Sequence, residues 1–192
     1  MAVSRVKTSS VLQGFPKYRS MLAGNAAFNP SSFESIATAS GTGSSDTITF
    51  SSIPSTYTHL QIRFEIDTNS NGALLQLRCN GDTGSNYGNH YLEGNGSTVT
   101  ASGFSSSDRI YFPAESHTTY SYVGIVDIHD YASTTKYKTV RAIDGFDANG
   151  SGQVGLMSGL WMNTAAITSL TFILQTNYQS PTRFSLYGIK GA

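Results

Sequence analysis

A chain of 192 residues suits one domain plus an extension, and with charged residues at only 12% the usual polar complement is replaced by Ser, Thr, Asn and Gly. That composition disfavours helices and favours strands and turns, while 11% aromatic residues exclude a disordered polar chain. The formal net charge of zero argues against nucleic acid as the main partner of the body.

The neutrality conceals a polarity. Residues 1–30 carry Arg5, Lys7, Lys17 and Arg19 and no acid, so all 12 Asp+Glu lie beyond them, against the remaining eight of the 12 Lys+Arg. Within this basic segment, VLQGFPKYRSML has some apolar spacing, but Gly14 and Pro16 interrupt it. The expectation is an extended or irregular path in which Val11, Leu12, Phe15, Tyr18, Met21 and Leu22 plug into partner pockets. So short a segment cannot bury enough surface to fold alone, and it reads as a docking arm. Packing back on its own body and a transit peptide are the alternatives. No apolar run of signal-peptide type follows the basic residues, and no stretch approaches the roughly 20 apolar residues of a membrane span. The expected place is a cytoplasm, or a particle assembled in one, without membrane insertion.

After Pro30 the apolar period changes to two. Strands are predicted at 32–39, 46–52 and 57–67. In the last, Leu60, Ile62, Phe64 and Ile66 share one face, and His59, Gln61, Arg63 and Glu65 the other. A strand at 73–79 leads into a long turn-rich region from Asn80 to Ser107. Further strands are predicted at 109–113, 120–131, 137–144, 153–162, 166–176 and 182–190. In 120–131, Tyr122, Gly124, Val126 and Ile128 lie opposite Val123, Ile125, Asp127 and His129. Turn signals separate nearly all of them, and no segment has a convincing helical period. The predicted fold is all-β: an antiparallel β-sandwich of about 8–10 strands, jelly-roll-like, over residues 31–192 and preceded by the extended arm. A closed barrel is the alternative.

Chemistry is sparse in this sequence. The single cysteine, Cys79, excludes an intrachain disulfide and reads as a strand residue in the interior. No nucleophile elbow of the G-x-S-x-G type is present. His59, His90, His117 and His129 sit on separate segments. Asp127 with Asp130, or Glu65 with Asp67, are the carboxylate pairs that glycoside hydrolysis would need, but their spacing is ordinary for solvated strand faces. The segment Asp144, Asp147, Asn149, Ser151 with Gly152 imitates the first half of a calcium loop. Ser158 stands where the bidentate Glu should fall, so a polar hairpin turn is the expectation and the metal a weak candidate. The loop Asn80–Asn86 reads the same way. Tyr87, His90, Tyr91 and Phe104 form a candidate sugar-stacking set in the turn-rich region, with core or subunit-interface packing as the competing reading. Tyr120, Tyr122 and Tyr131 bracket one strand, and Trp161 reads as core. No cofactor is expected, and no catalytic residue.

The blocks FSSIPSTYTHLQIR (50–63), RCNGDTGSNYGNHYLEG (78–94), VDIHDYASTTKYKTVR (126–141), SGLWMNTAAITSLTF (158–172) and RFSLYGIKGA (183–192) resemble segments of virion structural proteins of marine tailed phages such as cyanophages. The opening SRVKTSSVLQGFPKYRSMLAGN (4–25) resembles the N-terminal segment that many such proteins share. The resemblance covers most of the chain and is weakest over 101–120, where a variable surface loop is expected. It implies a particle component: a tail- or fibre-associated attachment protein, or a head-decoration protein. It also implies other phage structural proteins as partners through residues 1–30, and a homotrimer. A module binding host surface glycan and a small polysaccharide depolymerase are the other function classes.

Overall fold

The period-two pattern is realised as strands throughout the body. The chain divides at Ser31/Ser32 into two units, and the computed structural model describes residues 32–190. The predicted arm residues Arg5, Lys7, Val11, Leu12, Phe15, Lys17, Tyr18, Arg19, Met21 and Leu22 lie outside the described residues. In order, the strands are β1 (Phe33–Ser40), β2 (Thr47–Phe50), β3 (His59–Ile66), β4 (Leu74–Cys79), β5 (Tyr87–Gly94) and β6 (Val99–Ser107). They continue with β7 (Ile110–Glu115), β8 (Tyr122–His129), β9 (Lys138–Asp147), β10 (Gly152–Trp161), β11 (Leu170–Leu174) and β12 (Arg183–Ile189).

Two antiparallel sheets result, ordered β1-β12-β3-β8-β9-β10-β5-β6 and β2-β11-β4-β7. The strand pairs β1/β12, β2/β11, β3/β8 and β4/β7 form one long antiparallel ribbon. Folded over, the ribbon places its pairs alternately in the two sheets, which is jelly-roll order. Two hairpins are inserted into this plan. One, β5–β6, enters between β4 and β7; the other, β9–β10, enters between β8 and β11. Both extend the larger sheet beyond β8, giving eight strands against four.

Leu60, Ile62, Phe64 and Ile66 of β3 are all buried, as their alternation requires. Phe64 stacks on Phe184 of β12 at 5.5 Å and meets Tyr122 of β8 edge-on at 5.2 Å. Phe184 in turn packs on Phe172 of the smaller sheet at 4.9 Å, so both sheets feed one aromatic cluster. Gly124 is required here: a Cβ would lie 2.4 Å from Cζ of Phe64. Cys79 and Trp161 are core residues, and burial pushes the Cys79 thiol pKa up. Pro113 sits within β7, an edge strand, where its missing N–H costs no ladder bond.

Twelve strands exceed the eight to ten expected, and the region from Asn80 to Ser107 accounts for the difference. It holds β5 and β6 rather than a long run of turns. In β5 the inward row is Tyr87, Asn89, Tyr91 and Glu93, whose amide and carboxylate break the apolar alternation. The side chains of β6 are exposed on nearly every residue, so it carries no burial pattern at all. Asn95 closes the hairpin by accepting the N–H groups of Ser97 and Thr98 at 3.0 and 2.9 Å.

Candidate interaction surface

Beyond β3, the outward side chains of the larger sheet are mostly apolar. The first half of strand β8 is apolar in both registers: Tyr122 and Val126 point to the core, while Val123 and Ile125 point outward and are exposed. Strand β10 repeats this with Met157 and Trp161 inward and Val154 and Leu156 outward. The register aligns these residues into rows. Ile125, Ile143, Leu156, Leu92 and Ala101 face one another across β8, β9, β10, β5 and β6. The adjacent row reads Val123, Gly145, Val154, Gly94, Val99 across the same strands. Ile143 is 60% exposed, Val154 59%, Leu156 51% and Leu92 50%, so the ribbon faces outward without cover from the smaller sheet.

A polar row borders the ribbon: Gln61, Asp127, Arg141, Ser158, His90 and Gly103. Gln61 donates to Asp127 at 2.9 Å, and Arg141 donates to Ser158. The surface is corrugated. A groove of about 640 Å³ runs over Gly145, floored by Val123, Ile125, Ile143 and Val154 and bordered by the β9–β10 hairpin tip. Gly145 adopts φ +151, and a side chain there would strike the Gln153 carbonyl. A second depression of about 320 Å³ lies between Leu92, Val99, Ile143 and Val154.

The four candidate stacking residues separate. Tyr87 is fully buried, and its hydroxyl is shared among backbone groups of Cys79 and Asp82, so it offers no ring to a ligand. His90 points outward in the polar row, away from the other three. Tyr91 and Phe104 do come together, at 6.2 Å, and Phe104 also packs on Tyr111 at 5.7 Å. Phe104 is the exposed member at 47%. A further ring cluster, His117, Tyr120 and Phe146, brings together residues from separate segments.

The calcium-like segment does not converge. Asp144 turns into the core and accepts the Tyr122 hydroxyl. Asp147 accepts the Asn149 N–H at 2.8 Å, and Ser151 donates to the Ala148 carbonyl at 3.4 Å, both within the β9–β10 hairpin turn. Among the described residues no group of three or more His, Cys, Asp and Glu could hold a metal ion. His59 and His129 do meet across β3 and β8 at 5.0 Å, beside Asp130, which also pairs with Lys136. In the Asn80–Asn86 loop, Asp82 accepts Trp161 Nε1 at 2.8 Å, the Gly84 N–H at 2.8 Å and the Asn86 amide at 3.0 Å. These bonds, the Trp161 one foremost, hold the Asp82 carboxyl below the usual range.

Sequence reasoning missed the apolar outer face. The signal was present in YVGIV and QVGLM, where both registers are apolar, the pattern of a strand covered on two sides. Comparison with protein-family models, curated proteins and solved structures finds no significant match to the chain.

Proposed function

We propose that the chain is a non-enzymatic structural component of a phage particle, with residues 1–30 docked in the particle and the jelly roll displayed in tail- or fibre-associated host attachment. The observation that carries this reading is the apolar ribbon on the larger sheet, which no other described residue covers. Contiguous exposed apolar surface of this kind marks an assembly surface rather than a solvated exterior. The basic, acid-free opening segment supports a docking role, since it suits an acidic groove and its association would be steered by charge. The resemblance of the sequence blocks to phage virion proteins supplies the setting. Capsid decoration is the alternative placement within the same class.

The test uses particles stripped of this component. Full-length protein rebinds them, whereas a folded 32–192 body does not, and binding weakens with rising salt. Undiminished binding by the body alone rejects the docking arm.

Glycan recognition has one specific observation in its favour, the exposed Phe104 ring backed by Tyr91 and Tyr111. Retention on immobilised host polysaccharide, abolished by Phe104→Ala, supports it; retention unchanged by Phe104→Ala rejects that site.

A further inference from the structure

We infer that the outer face of the larger sheet is self-complementary, and that a second copy of this chain packs on it about a two-fold axis running along the strands between β9 and β10. The inference rests on the reading of this face as an assembly surface and names its occupant.

The strand order makes the symmetry explicit. Outward from the proposed axis lie β9, β8 and β3 on one side and β10, β5 and β6 on the other. A two-fold rotation lays β9 on the second copy's β10, β8 on its β5, and β3 on its β6. Because registered residues share one level along the strands, the facing pairs follow directly. Ile143 faces the second copy's Leu156, and Ile125 faces its Leu92. In the adjacent row, Val154 meets Gly145 and Val123 meets Gly94, each valine opposite a position with no side chain. The groove over Gly145 is thereby filled by the other copy's Val154. In the polar row, Asp127 faces His90 and Arg141 faces Ser158, acid against imidazole and guanidinium against hydroxyl. Only at the rim do Arg63 and Glu65 come opposite Ala101 and Val99, and charged residues belong at the rim of an interface.

Size and geometry agree with this. Sheets stack about 10 Å apart with strands within about 30° of parallel. Six strands at about 4.8 Å and three rows at about 6.8 Å give a footprint near 600 Å² per copy. The total of about 1,200 Å² reaches the lower end of the range for specific, stable interfaces. A three-fold contact would require two different patches that fit each other, whereas a face complementary to itself is the mark of an isologous two-fold pair.

The test is the mass of the full 192-residue chain in solution by light scattering at rising concentration. Wild type reaches twice the 20.5 kDa of one chain. Ile143→Lys and Leu156→Glu, both at exposed positions where substitution costs little folding stability, each halve that mass. Circular dichroism and thermal unfolding confirm that each variant folds. Mixing the two monomeric variants restores a dimer, because Lys at 143 then faces Glu at 156 across the axis. A monomeric or trimeric wild type overturns the inference. So does a dimer that persists in both single variants, or a mixture that stays monomeric. Particle rebinding is read separately: wild type that rebinds particles while remaining monomeric leaves the proposed function standing and removes only the two-fold pairing.

Discussion

Tyr122 donates its hydroxyl hydrogen to the carboxylate of Asp144 inside the sandwich. Asp144 is only 3% exposed, and burial pushes its carboxyl up to about 6, with Glu93 on β5 acting in the same direction and the Tyr122 bond opposing. A folded-state value above the unfolded one means that folding favours the protonated form. The associated stability is complete below the unfolded value of 3.8 and is lost as pH rises to about 6. Asp144→Asn keeps an acceptor for Tyr122 and removes the buried charge. The variant should gain about 1–3 kcal/mol over wild type at pH 8 and little or nothing at pH 4. Urea unfolding midpoints at the two pH values check this, and an equal effect at both would show that the charge is not the cause.

Trp161 pins the Asn80–Asn86 loop through its bond to Asp82 at 2.8 Å. Trp161→Phe retains most of the buried ring area and deletes that bond to a charged group. A loss of about 1.5–3 kcal/mol is expected. Asp82→Asn should lose less, because an amide oxygen still accepts the indole N–H. Thermal unfolding of the two variants in parallel separates lost hydrogen bonding from lost packing.

Gly124→Ala drives a methyl group into the Phe64 ring. Overpacking of this kind costs about 1–3 kcal/mol. Phe64→Leu in the same chain should return part of that loss, since the ring edge is the obstacle. A double-mutant cycle with no coupling between the two positions would contradict the geometry.

Asn80 stands at φ 52 and ties two segments together. Its amide donates to the Ala166 carbonyl at 2.8 Å, and its oxygen accepts the Thr168 and Ser169 N–H groups at 2.8 and 3.0 Å. Asn80→Ala removes these bonds and places a side chain without local hydrogen bonding in the left-handed region, for a cost of about 2–4 kcal/mol. Asn80→Asp keeps the acceptor and should cost less. Hydrogen exchange at Thr168 and Ser169 reports the loss locally.

What was legible in the sequence follows from which residues face the core. Leu60, Ile62, Phe64 and Ile66 declare β3 because alternating burial writes a period of two into the chain. The same holds for β8, and the sandwich and its jelly-roll character follow from many such strands joined by turn residues. Strand β6 was illegible because VTASGFSSS is exposed on both sides and has no burial to record. Strand β5 was obscured because Asn89 and Glu93 point inward where apolar residues were expected. Side-chain convergence was less legible still. Tyr87 reads as a loop aromatic, and its burial against Cys79 and Asp82 is set by long-range packing. Asp144 reads as part of a polar hairpin turn with calcium as a weak alternative, and only the register of β9 turns it toward Tyr122. The apolar outer face depends on five strands lining up, a property of pairing that no single segment carries.

Strand β12 lies between β1 and β3 in the larger sheet. The residues that join Phe33–Ser40 to His59–Ile66 are therefore synthesised more than a hundred residues after both. Until Arg183–Ile189 leaves the ribosome, β1 lacks its sheet neighbour and Phe64 and Phe172 lack the Phe184 ring that joins them. Closure of the larger sheet is thus tied to the synthesis of Arg183–Ile189. A chain stopped before residue 183 cannot close the larger sheet, while residues 1–30 have by then long been outside the tunnel.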